Sequence, residues 1–319
     1  TQPRRAGLHG LLWLAVWPPG ALIALLLAGL LAAGWWANSE GSLARTLGWA
    51  QDYTQTNSAS TGTLTTENVQ GSLLGGGDIE QLRWSRDGLQ VEVSGVALRL
   101  GGTAIWNALL GRGLHVDSLQ LRRLVIIHQR PPSDAATKPL RAVTLPLALS
   151  LPFEAQDVVI DGPQPLVLTN LKGLYRYGPN NSPEISGVAD AHRLRIDSLQ
   201  VAGGRYQAQL ALGAQAPMPL SLRAQGTVQA RVPEGETLTL QASAQASGTL
   251  SGANAALDVQ ARVAPSSDPA TATPTLAATA RVMPWADQLV QSADATAHQF
   301  DLTSLWPQAP ITSLSGTFK

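Results

Sequence analysis

The side chains that could do chemistry are few and scattered. Cysteine is absent, which removes thiolate nucleophiles, disulfides and Cys-based zinc sites together. Five histidines, His9, His115, His128, His192 and His298, do not gather with acidic residues into the pattern of a metal site. The nearest approaches, Asp117 beside His115 and Asp190-Ala-His192, sit in strand-like runs and read as strand surface. Gly75-Gly76-Gly77, inside NVQGSLLGGGDIEQLRW (residues 68–84), invites a phosphate-cradle reading but lacks the lysine and the following helix such a cradle requires. No G-x-S-x-G elbow is present, and Glu234 and Glu236 straddle Gly235 in a solvated turn. The expectation is a protein with no catalytic residues, no metal and no cofactor.

Composition points to an unusual surface. The chain has 319 residues, 44% hydrophobic and only 14% charged, against about 25% charged in ordinary soluble domains. Lys plus Arg equals Asp plus Glu at 22 each, so no basic excess exists to condense onto nucleic acid, and nucleic acid is excluded as a partner.

From Leu11 to Trp36 no charged residue occurs. A helix from Pro18, pre-set for a first turn, to Trp36 would be about 28 Å long at ~1.5 Å per residue, close to the hydrocarbon thickness of a bilayer. Trp17, Trp35 and Trp36 flank Leu25, Leu26 and Leu27 as an interfacial aromatic belt would, and Arg4 and Arg5 favour a cytoplasmic N-terminus. The expectation is a single-pass inner-membrane anchor over residues 1–37 with the bulk exported. A cleaved signal peptide, with Ala32-Ala33-Gly34 as the small residues, is the competing reading and exports the bulk equally.

Residues 38–63 read as a connector with a short helix over 42–52, and residues 64–319 as repetitive β structure. Period two dominates there: Leu89, Val91 and Val93; then Val96, Leu98 and Leu100; then Val143, Leu145, Leu147, Leu149 and Leu151, read as the clearest strand despite Pro146. The pattern continues through Leu210, Leu212, Leu220 and Leu222 into runs around 237–246 and 257–263 whose apolar side chains are mostly alanine. One later helix is expected over 103–111. Residues 115–121 (HVDSLQL) echo residues 195–201 (RIDSLQV), and in both the apolar phase flips across Asp-Ser, as at a bulge.

A sheet with one apolar face needs helices, a second sheet, or curling on itself to cover it, and the helices are missing. A dry β-sandwich is the plain solution. A curved antiparallel-type sheet whose wide, alanine-lined groove holds acyl chains is the other, since each buried CH₂ contributes ~0.8 kcal/mol. Val69, Leu73, Ile79 and Leu82 would then be the floor of the groove where it begins. On that reading a bulky residue at Gly76 should hinder loading more than folding.

The run Val69-Gln-Gly-Ser-Leu-Leu-Gly-Gly-Gly77 with Ile79, Leu82, Arg83 and Trp84 resembles the opening of the TamB proteins of the AsmA-like group in Gram-negative envelopes. Residues 87–100, 105–113 and 114–121 follow in the same order, and residues 300–310 with Leu314-Ser-Gly316 resemble a recurring segment of that family. The resemblance implies a long taco-shaped β-sheet with an apolar interior that spans the periplasm. It implies phospholipid transport toward the outer membrane or, alternatively, scaffolding of outer-membrane protein assembly through sheet edges. It also implies a barrel partner of TamA type, contacted through a C-terminal region not included in these residues.

Overall fold

Alternating runs separated by short glycine-bearing turns pair with their sequence neighbours, because a tight turn returns the chain beside itself. The computed structural model describes residues 32–57, 62–128, 139–162, 165–180, 185, 187–201, 203–231, 237–265, 275–286, 288–300 and 314–319. Its strands are β1 (Thr63–Ser72), β2 (Gly76–Arg86), β3 (Leu89–Leu100), β4 (Leu114–His128), β5 (Leu149–Asp161), β6 (Leu166–Pro179) and β7 (Asp190–Val201). They continue as β8 (Gly204–Gly213), β9 (Pro219–Arg231), β10 (Thr237–Thr249), β11 (Leu257–Pro265), β12 (Thr275–Val282), β13 (Val290–Phe300) and β14 (Leu314–Phe318). All fourteen lie in one sheet whose spatial order is the chain order. The fold is mainly β, as expected.

The sheet is antiparallel except between β4 and β5, which run parallel from Leu114↔Leu149 to Ile127↔Asp161. A parallel pair obliges the chain to return the length of a strand before starting again. That return corrects the strand expected over 143–151. Only Leu149 onward belongs to β5, and residues 139–148 form a strap that crosses the ends of neighbouring strands. Leu140 bridges Ser251, Ala142 bridges Gln215, the Val143 N–H donates to Ala214 O at 2.9 Å, and Leu114 N–H donates to Ala148 O at 2.7 Å. Pro146 has no N–H for a ladder, so alternation there marks a crossing segment and not a paired strand. Val143, Leu145 and Leu147 therefore lie on the strap.

The first helix, α1 (Ser42–Thr56), runs along the open side of β1. Ser42 Oγ accepts from Leu73 N–H at 2.9 Å, Thr54 Oγ1 accepts from Leu64 N–H at 3.2 Å, and Gln51 Nε2 donates to Thr66 Oγ1 at 2.8 Å. Gln51 Nε2 also reaches Thr66 O at 3.4 Å, so the Leu64 N–H and the Thr66 carbonyl on a strand edge that would otherwise invite pairing are both occupied. The second, α2 (Ala104–Leu109), links β3 to β4 within the expected span. Residues 32–38 are helical; residues 1–31, with Trp17, Leu25, Leu26 and Leu27, lie outside the described residues. Among the described residues no helix is long and apolar enough to cross a membrane.

Candidate functional site: one apolar face across the sheet

Directly paired residues share a face of a sheet, so the register assembles the apolar side chains into rows. Leu98 pairs with Leu119, Leu119 with Phe153, Phe153 with Gly173 and Gly173 with Ile196. The same row continues through Ala208, Ala224, Ala244, Ala261, Ala278 and Ala295. It crosses from β3 to β13 without a charged residue and passes from bulky to small along the way. A second row runs Val69, Ile79, Val96, Leu121, Ala155 and Leu171. Leu210 faces Leu222 and Leu212 faces Leu220 in the middle of the sheet.

Strict alternation alone would not keep these rows on one side. Leu89, Val91 and Val93 are odd while Val96, Leu98 and Leu100 are even, so an unbroken strand would turn half of them over. The strands avoid this along a line of irregular residues. Asn68, Gly95 and Asn170 take positive φ of 49°, 63° and 52°. Next to or in register with them, Glu67–Asn68, Arg122–Arg123 and Gln156–Asp157 are pairs of consecutive exposed residues. Asn is among the few residues with a Cβ that tolerate this conformation. The phase is reset at that line, and the apolar set returns to the same face on both sides of it.

The expected Asp-Ser bulges are present. The β3–β4 register shifts at Arg99/Leu100, where Arg99 pairs with Ser118 and Leu100 with Val116, leaving Asp117 extra. The β6–β7 register shifts where Lys172 pairs with Ser198 and Gly173 with Ile196, leaving Asp197 extra.

The opposite face carries the ion pairs: Arg83–Glu92 at 2.8 Å, Arg99–Asp78 at 3.0 Å, Lys172–Glu154 at 2.5 Å, Arg195–Asp197 at 2.9 Å and Arg281–Asp258 at 3.2 Å. All but Glu92, which is half-buried, are exposed, so these pairs contribute solubility and register more than stability. The Lys172 ammonium is held above its ordinary value by its hydrogen bond and charge pairing with Glu154.

On the apolar face Ile79 and Val96 are buried, and Val69, Leu82, Leu89, Val91, Val93, Leu98, Leu100, Leu149, Leu210, Leu212, Leu220 and Leu222 are half-buried. Leu73 sits in the β1–β2 turn and Val143 is exposed on the strap, with Leu145 and Leu147 half-buried beside it. One enclosed cluster on this face is one that sequence reading did not single out: Val228 (1%), Leu240 (0%), Val263 (5%) and Ala297 (4%), with Ala242 and Leu276 against it. Leu119, Leu121, Leu124 and Ile126 of β4 were also missed. Their signal was a spacing of three between Leu121 and Leu124, which a search for period two passes over.

A buried polar group lies on the apolar face. His192 pairs in register with Tyr177 and Leu212 and is buried. Its Nε2 lies 2.7 Å from Val143 O and its Nδ1 2.7 Å from the Tyr175 hydroxyl, with the Tyr177 ring 4.7 Å away. A carbonyl only accepts, so Nε2 carries a proton and donates to Val143 O, while Nδ1 and the Tyr175 hydroxyl share the second bond. Burial pushes the Tyr175 hydroxyl above its ordinary value. His192 thus ties the strap to the sheet. Among the described residues no group of three or more His, Asp and Glu could hold a metal ion.

The glycine run belongs to the frame. Gly76 and Gly77 open β2, and Gly76 has φ of 83° with the Leu98 carbonyl oxygen where a Cβ would stand. From the sequence a bulky residue there is expected to hinder loading more than folding; β3 backbone fills the space, so folding itself is hit.

Compared with known proteins, this chain is matched by no family model, no curated protein and no solved structure.

Proposed function

We propose that the apolar face is a conduit for phospholipid acyl chains, on a protein anchored at the inner membrane with its bulk in the periplasm. The observation that carries the reading is the row from Leu98 to Ala295, apolar on every strand and kept in phase by the irregular line at Asn68, Gly95 and Asn170. A core that only had to be dry would not need an uncharged track across the whole sheet. At about 4.8 Å per strand, β3 to β13 extend roughly 48 Å, longer than an acyl chain. The first helix meets this face at Gly77, where Leu43 lies against it, and the strap crosses it at His192; among the described residues no second sheet covers it, so a hydrocarbon ligand and curling of the sheet share the task of keeping water off the rest. The alanine rows leave width for such a ligand. The resemblance to TamB supports the same substrate and location, and a TamA-type barrel as the partner at the far side.

The test is co-purification. Chain isolated from a Gram-negative envelope should carry phospholipid detectable by mass spectrometry, and Val91→Asp with Leu98→Asp should remove it while leaving the β content by circular dichroism unchanged. Lipid retained by the double variant would contradict the conduit. Lipid handling that survives these charges but fails when proline is placed in β14 would favour the second reading, an edge-pairing scaffold for outer-membrane strands.

A further inference from the structure

We propose that the α2 loop and the tryptophans beside it form a docking surface for a phospholipid bilayer, seating the first strands of the sheet on the membrane. The proposal rests on the reading of this chain as a membrane-apposed lipid conduit. It adds which residues touch the bilayer.

Connecting loops normally present polar residues to water. This one presents Leu109 at 71% and Leu110 at 66% exposure, with Trp106 at 39%, while α2 itself buries only Ala104. Across residues 101–116 the only charged side chain is Arg112. Two leucines, a tryptophan and one arginine at a loop tip form an interfacial anchor, with the apolar groups for the acyl boundary and the cation for anionic headgroups.

The neighbouring surface continues the pattern. Trp35 is 78% exposed and Trp49 is 62% exposed, and Trp49 stacks on Trp36 at 5.6 Å between ring centroids. The Trp106 ring lies 3.5 Å from where a Cβ on Gly34 would stand, so α2 abuts the helical residues 32–38. Those residues end the uncharged run that begins at Leu11. The bilayer is the occupant this continuity selects: a run apolar enough to enter a membrane leads directly into the residues that touch Trp106. The turn between β12 and β13 provides a comparison, since Leu289 is 56% exposed but lies nine strands along the sheet from the β3–β4 connection.

Because the chain has no cysteine, Leu109→Cys and Leu289→Cys each give a single labelling site. Each variant of the full chain, carrying an environment-sensitive fluorophore, is reconstituted into vesicles of phosphatidylethanolamine and phosphatidylglycerol. The label at 109 should shift to the blue and be quenched by spin-labelled lipid, and the label at 289 should remain water-like. A water-like label at 109, or equal quenching at both positions, overturns the proposal. In a second arm, Leu109→Asp with Leu110→Asp should slow transfer of fluorescent phospholipid from vesicles to the chain by about tenfold while leaving loading from detergent micelles unchanged. Equal loss from both sources would contradict docking. The two readings separate cleanly: a membrane-embedded label with no lipid on the sheet refutes the conduit alone, and lipid on the sheet with a water-like label refutes docking alone.

Discussion

His192 Nε2–H donates to the Val143 carbonyl oxygen at 2.7 Å across 49 residues of sequence, and with the Val143 N–H bond to Ala214 O it holds the strap to the middle of the sheet. Replacing His192 by Phe keeps the ring and removes both polar atoms, leaving the Val143 carbonyl and the Tyr175 hydroxyl without this partner. A loss of about 1–3 kcal/mol is expected, read as a lower thermal midpoint. Limited proteolysis should cut within residues 139–148 before any strand. Cleavage of the strands first would show that the strap is held by other means.

Gly76 and Gly111 make a matched pair. Both have positive φ, 83° and 72°, but the Leu98 backbone crowds the first and nothing lies within 4 Å of the second. Ala at Gly111 should cost about 1 kcal/mol, from backbone strain alone, whereas Ala at Gly76 should cost about 3 kcal/mol or more because β2 and β3 must separate. Chemical denaturation of the two variants side by side checks the order, and equal losses would refute it.

Asn170 tests the phase reset. At φ of 52°, Asn170→Val places a β-branched residue in the left-handed region and should destabilise by about 1–3 kcal/mol. Asn170→Gly should be close to neutral. If Val were tolerated as well as Gly, the positive φ would not be what keeps Leu168 and Leu171 on the same face.

The tyrosines set an alkaline limit. Burial raises the hydroxyl pKa of Tyr206 and of Tyr175 above the ordinary 10.0. The folded state therefore binds protons that the unfolded state has lost, and stability is fully present below pH 10 and falls as pH rises beyond it. Tyr206→Phe with Tyr175→Phe should flatten that fall, measured as the thermal midpoint against pH. An unchanged slope would place the alkaline sensitivity elsewhere.

Much of this architecture was legible in the residues. Alternation at 89–93 and 96–100 announced half-buried strands, and the phase flip across Asp117-Ser118 and Asp197-Ser198 announced bulges that the register contains. The strap was not legible, because Leu145, Leu147 and Leu149 alternate as well in a crossing segment as in a ladder, and only topology separates the two. The parallel β4–β5 pair leaves no local mark, since strand direction depends on where the connection goes. His192 read as strand surface because its partners, Val143 and Tyr175, come from distant parts of the chain. Rows such as Leu98 to Ala295 depend on register, which long-range pairing sets.

The most direct measurement of the conduit is photo-crosslinking from adjacent residues that face opposite ways. Leu98 lies on the apolar row, and Arg99 lies on the other face, paired with Asp78 at 3.0 Å. With a benzophenone side chain at each position in turn, in cells, position 98 should trap phospholipid and position 99 should not. Equal capture at both, or none at 98, would contradict the account.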